Sequence, residues 1–300
     1  MIVGHQPPAV VANQSKVAMV PMTARLPHHP MPTMETMHIR DVPERIVCLT
    51  EEPTEILYAL GEDERIVGIS AYTCRPPKAA DDKKVVSAFI GGSIKKISAL
   101  KPDLIIGFSD IQAELAHDLI KANLPVLIFN QRSLQEILDV IITIGSIVGR
   151  RAEATELVRG YIETIEAAKE RTKAQKRRPR VYFEEWDDPR ITAIEWVGEL
   201  IEIAGGENIF ADRSSGKLAK ERFVDDEEIL EADPEIICAS WCGKKVDLDS
   251  FEKREGYSEM TAIKNDEIHE LEPEIILQPG PACLTDGLAR LEEIIRSTGC

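Results

Sequence analysis

The chain has 300 residues, 43% hydrophobic and 29% charged, enough for one large domain or two lobes with a sizeable core. Its 36 Lys and Arg against 52 Asp and Glu leave a formal net charge of −16. That balance argues against a nucleic-acid binder, which displaces counterions from phosphates with cations, and against attachment to anionic lipid.

Residues 1–43 are rich in Pro, Met and His and are expected to form a disordered or loosely attached lead-in. They lack the basic start followed by an apolar stretch of about 7–15 residues that marks a secretory signal, so the chain as written is expected in the cytoplasm. The pair His28-His29 is a candidate metal ligand pair on this segment. No apolar run reaches the roughly 20 residues of a membrane span. Six cysteines, none in a C-x-x-C pair, match no zinc-finger spacing and suggest no disulfide framework.

The ordered part begins near Glu44. RIVCL (45–49) is a short apolar run that suits a buried parallel strand. A helix follows from Pro53, where a first turn tolerates proline, to Leu60, with Gly61 as its stop. RIVGIS (65–70) is a second strand, and Pro76-Pro77 forbids regular structure after it. VVSAF (85–89) is a third strand, and Ser93 caps a helix over 94–100. Strand 103–108, helix 111–122 and strand 125–130 complete a strand–helix alternation, which implies a parallel sheet covered by helices. A helix over 133–149 precedes an uninterrupted helix over 151–175, some 37 Å long at about 1.5 Å per residue. The alternation then restarts with strand 180–184, helix 195–205, short helix 225–231, strands 234–240 and 267–271, and a last helix over 286–297.

ISALKPDLIIGFS (97–109) aligns without gaps on ILEADPEIICASW (229–241). With the restart after the long helix, this echo predicts two similar α/β lobes. They are Rossmann-like, with mostly parallel central sheets over 44–132 and 180–300. A helical linker over 133–179 joins them and contains the single long helix.

Ligands of open parallel sheets sit outside the carboxyl ends of the strands, so the strand exits hold the candidate site. In the first lobe these are Glu51, Glu52, Tyr72, Cys74, Arg75, Phe89, Asp110 and Arg132; in the second, Glu185, Trp186, Trp241, Cys242, Lys244 and Lys245. Tyr72, Phe89, Trp186 and Trp241 would line a cleft with aromatic faces suited to a large planar ligand. Arg75, Arg132, Lys244 and Lys245 would meet its amide or phosphate groups. The carboxylates can bind hard cations or accept from amides. Cys74 and Cys242, with Cys48 near by, could ligate a soft metal. No nucleophile elbow, Walker A loop or G-x-G-x-x-G is present, and Cys242 with His269 is an unsupported nucleophile pair.

The runs RIVCLTEEPTEILYALG, GISAYTCRPP, VSAFIGGSIKKISALKPDLIIGF, LPVLIFNQRSLQEIL, LIEIAGGENIF and EILEADPEIICAS resemble the helix-linked, two-lobed (class III) solute-binding proteins of ABC importers for vitamin B12 and iron–siderophore chelates. The likeness is strongest to the cobalamin-binding branch and covers about 44–297. It implies a non-enzymatic, monomeric binding protein with no covalent cofactor, which captures a cobalamin-like corrinoid or other metal chelate between lobes that open and close little. The partner it implies is an ABC permease, with a periplasmic location if the true start lies elsewhere. An aromatic of that branch matches Phe89 and a tyrosine matches Tyr72. Members that dock on a permease present a glutamate on each lobe, and the first-lobe position here is Lys95. Two other readings stand beside this one. The first is direct metal binding through Cys74 and Cys242 with cleft carboxylates. The second is a corrinoid- or tetrapyrrole-modifying enzyme with Glu51 or Glu185 as general acid or base.

Overall fold

Continuous apolar runs become interior strands because helices cover both faces of a parallel sheet. The computed structural model describes residues 41–298, so the expectations for residues 1–40, including His28-His29, lie outside the described residues. The first sheet holds β1 (Ile46–Cys48), β2 (Ile66–Ser70), β3 (Val85–Ser87), β4 (Leu104–Phe108) and β5 (Val126–Phe129). All are parallel, in the order β3-β2-β1-β4-β5. The second sheet holds β6 (Arg180–Asp187), β7 (Arg190–Thr192), β8 (Glu207–Asn208), β9 (Ile236–Ala239) and β10 (Ile268–Glu270). Its order is β10-β9-β6-β7, β8 also pairs with β6, and β7 alone is antiparallel. Two α/β lobes with mostly parallel sheets are therefore present, as the sequence implies.

The lobes are joined by helix Leu134–Ile147 and the long helix Arg151–Thr172, whose 22 residues span about 33 Å. Ser133 and Glu136 form a reciprocal capping box at the start of the first. These helices pack into one apolar cluster with Ile46, Ile56 and Phe108 of the first lobe and Val181, Phe183, Trp196 and Ile236 of the second. Two smaller clusters cover the outer faces of the sheets, around Val47 and Ile105 in one lobe and Tyr182 and Phe251 in the other.

The internal echo extends to the backbone. Lys101 and Asp233, its counterpart, both take left-handed conformations, at φ 49° and 40°. Asp103 accepts from the Arg45 amide at the start of β1 (2.8 Å), and its counterpart Glu235 accepts from the Arg180 amide at the start of β6 (3.0 Å). The Arg45 guanidinium donates to the Lys101 carbonyl (3.2 Å), and that of Arg180 to the Asp233 carbonyl (2.6 Å). One helix-turn-strand unit is thus built twice, with the same side-chain ties to the neighbouring strand.

Four differences from expectation bear on the cleft. The first helix begins at Glu51, so Glu51 and Glu52 form its first turn instead of an exit loop. Pro77 does not forbid structure: it occupies the first turn of helix Pro77–Asp82, where no intrahelical N–H is needed. β3 stops at Ser87, which leaves Phe89 on the following loop. β6 runs on to Asp187 and turns back into β7, too short a strand to show periodicity. No helix among the described residues is long and apolar enough to cross a membrane.

Candidate functional site

The carboxyl ends of both sheets open on two adjoining cavities. The first, about 400 Å³, is walled by Phe89, Phe108, Ile111 and Arg132 of the first lobe and Trp186, Ile194, Trp196 and Arg222 of the second. The second, about 440 Å³, is lined by Glu51, Tyr72 and Cys74 from one side and Gly243, Lys244, Lys245, Glu270 and Glu274 from the other. Cys242 and Gln278 line both. Both volumes fall within the roughly 300–1,000 Å³ of small-molecule sites.

The first cavity is largely apolar: its two arginines are paired with carboxylates, and the exposed Lys217 is its remaining cation. Phe108, at the end of β4, meets Trp196 edge-on, with ring centroids 6.5 Å apart. The Trp196 indole N–H donates to the Ile276 carbonyl (2.9 Å), which fixes the ring. Arg132 lies 5.4 Å over Phe108 and donates to Asp110 and Asn130, each at 3.0 Å. Burial lowers the Arg132 pKa, against the opposing pull of Asp110. Arg222, 3% exposed, holds Glu185 through two nitrogens and donates to the Thr192 carbonyl (2.7 Å). A carboxylate therefore sits on each arginine.

The second cavity is polar. Lys244 stacks over Trp186 (4.3 Å) and Trp241 (4.6 Å) and donates to Asp187 (2.6 Å). Gly243 turns the loop with φ 80°, a conformation that favours glycine, beside the hydroxyl end of Tyr72. Glu51 is 4% exposed, and its Oε2 has no hydrogen-bond partner among the described residues. Burial pushes its pKa up to about 7, partly offset by hydrogen bonds from its own backbone and Gln278. Glu52, behind it, is pushed to about 8 by burial and by the charge of Glu51. Burial likewise raises the Cys74 thiol, and takes that of Cys242 to about 11.

The lobes are tied beneath the cleft. Glu55 Oε2 accepts from the Ala282 amide (3.1 Å), Arg75 bridges Glu55 (3.1 Å) to Asp286 (2.7 Å), and Gln131 donates to the Pro279 carbonyl (3.1 Å). A Cβ added at Gly280 would lie 2.7 Å from Glu52 Cβ.

Of the residues expected at the cleft, Phe89, Asp110, Arg132, Glu185 and Trp186 line the first cavity and Glu51, Tyr72, Cys74, Lys244 and Lys245 the second, with Cys242 in both. Three are placed elsewhere. Trp241 is 3% exposed and stacks on Phe251 in the outer core, because strand alternation puts it on the same face as Ile237 and Ala239. Arg75 is held by the interlobe ion pairs, and Glu52 is sealed under Gly280. The soft-metal grouping also fails to assemble: Cys48 is fully buried, and no three His, Cys, Asp or Glu among the described residues could hold a metal ion. His269 sits within β10 against Glu267 (2.8 Å) and lines neither cavity with Cys242. Sequence reasoning missed Phe108, Trp196, Arg222 and Gln278. Phe108 ends an expected strand and was open to inference; Arg222 lies in a polar stretch, 206–224, with no periodicity to read.

Known proteins share this architecture. The chain is 27% identical over 266 residues to an uncharacterised ABC transporter substrate-binding lipoprotein of Bacillus subtilis, covering 86% of this chain and 81% of the relative. It is 28% identical over 246 residues to a vitamin B12-binding protein of Vibrio cholerae, covering 80% and 85%. The apo structure of a periplasmic haem-binding protein from Roseiflexus superposes with a TM-score of 0.74 at 24% identity, covering 86% of this chain and 99% of that one. Residues 46–275 match the periplasmic binding protein family, so the chain belongs to that family and is a substrate-binding protein, not an enzyme.

Proposed function

We propose that the interlobe cleft captures a corrinoid, as the substrate-binding component of ABC-type uptake or of intracellular handling. The observation that carries this reading is the first cavity: four aromatic rings, Phe89, Phe108, Trp186 and Trp196, around two arginines that are already neutralised by Asp110 and Glu185. Such a wall, whose remaining cation is the exposed Lys217, favours a large ligand with little net charge, whose rim offers amides, over a dianionic tetrapyrrole that needs a cation for each carboxylate. The cobalamin- and B12-binding relatives support the same class.

Calorimetric titration with cyanocobalamin, cobinamide and hemin, with visible spectra alongside, tests it. One corrinoid per chain at micromolar affinity or tighter is expected, with hemin at least tenfold weaker. Hemin binding more tightly than either corrinoid would overturn the reading.

A further inference from the structure

The second cavity contains a polar side chain that the apolar first cavity does not account for. Glu51 is more than nine-tenths buried, its Oε2 is without a partner among the described residues, and it forms part of the cavity lining. The carboxyl is thus set into the cavity wall with hydrogen-bonding capacity that no described residue uses. Gln278, 9% exposed, stands beside it and also lines the first cavity, so both cavities converge on this pair.

We propose that Glu51 and Gln278 form a subsite for a primary amide on the rim of the ligand, and that Glu51 excludes ligands carrying a carboxylate at that position. The proposal rests on the corrinoid reading and deepens it. A carboxyl group accepts from an amide N–H whether or not it is ionised, and when protonated it also donates to the amide carbonyl. With a pKa near 7, Glu51 offers both modes around neutrality. Above about pH 7, where Glu51 is ionised, a ligand carboxylate placed there meets a like charge in a desolvated setting.

The surrounding charges do not reverse this preference. Glu270 and Glu274 add negative charge to the same lining, and the Glu270 carboxylate already accepts from the Val246 amide (2.9 Å). Lys244 is held by Asp187, which leaves Lys245, an exposed residue at the rim. Glu52 adds a further carboxyl behind Glu51, and Tyr72, Cys74 and Cys242 contribute uncharged groups.

The test is a pair of corrin ligands that differ in the rim: dicyanocobinamide, with primary amides, and dicyanocobyrinic acid, with free carboxyls. The wild-type protein is expected to prefer the amide form at least tenfold at pH 7.5 by calorimetry, a comparison that needs no variant. Glu51→Gln, which can donate to a carboxylate, is expected to cut that preference at least fivefold. Glu274→Gln makes the same change of charge at the same cavity and is expected to move the preference less. Equal effects of the two substitutions, or equal wild-type affinity for both ligands, would overturn the subsite while leaving the corrinoid reading in place. Failure of cobinamide to bind at all would overturn both.

Discussion

Replacement of Glu52 by glutamine tests how the first helix is seated. An acidic residue in a first helical turn ordinarily gains from the helix dipole. Here burial dominates: Glu52 is 2% exposed, its Oε1 accepts from the Thr50 hydroxyl (2.8 Å), and its pKa rises from 4.5 to about 8. The folded protein therefore holds a proton that the unfolded chain releases above about pH 4.5, and stability falls as pH rises through that window. At about 1.36 kcal/mol per pH unit, the deficit against a side chain that cannot ionise is about 1 kcal/mol at pH 5 and about 4 kcal/mol at pH 8. The glutamine amide adds a donor with no evident acceptor, a cost of about 1–3 kcal/mol that does not vary with pH. The slope is thus diagnostic and the offset is not. Urea denaturation of wild type and Glu52→Gln at pH 5, 6, 7 and 8 should give a stability difference that moves in favour of the variant by about 3 kcal/mol across the series. A difference constant with pH would refute the account, because it would mean that Glu52 ionises as readily in the folded protein as in the unfolded one.

Three further substitutions probe the frame and the walls. Gly280→Ala places a Cβ 2.7 Å from that of Glu52 and should cost about 1–3 kcal/mol in thermal or urea unfolding while weakening ligand capture; unchanged values for both would show that the lobe contact is soft. Arg254→Met removes the partner of Glu184, which is fully buried, and should destabilise by about 3–5 kcal/mol; adding Glu184→Gln should recover part of the loss, and a purely additive double variant would count against the pair. Trp186→Ala strips an aromatic wall and the seat of Lys244, and should weaken corrinoid binding about tenfold with little loss of stability, since the ring is only partly buried. Binding that survives this change intact would move the ligand away from the first cavity.

Much of the architecture is legible because its signals are local. Buried parallel strands need unbroken apolar runs, and RIVCL, DLIIGF and PEIICAS supply them. The expected cap Ser93 accepts from the Lys96 amide (3.3 Å). The candidate site is less legible because a strand exit fixes a position along the chain but not the face a side chain takes. Trp241 and Trp186 both follow apolar strands, yet alternation from Ile237 turns Trp241 into the outer core and a three-residue extension of β6 carries Trp186 to the cleft. Arg222 and Gln278 reach the cleft from segments without regular periodicity, placed there only by tertiary contacts. Glu51 and Glu52 are adjacent in sequence and differ in fate because the helix starts earlier than its proline suggests. One then lines the cavity and the other is sealed beneath a glycine.

That helix start links the frame to recognition. A single apolar core runs through both lobes and the two joining helices, and Glu55, accepting from the Ala282 amide, and Gln131, donating to the Pro279 carbonyl, tie the first lobe to the second beneath the cleft. Cavity walls held in this way are set before a ligand arrives, so little ordering cost is charged to binding. Selectivity then depends on the groups the walls present and not on how far they move. The same helical turn supplies two of those determinants: Glu52 fixes how closely the lobes approach at Gly280, and Glu51 fixes which hydrogen-bonding group the space between them accepts. Altering the first should change affinity for all ligands together, whereas altering the second should change their rank.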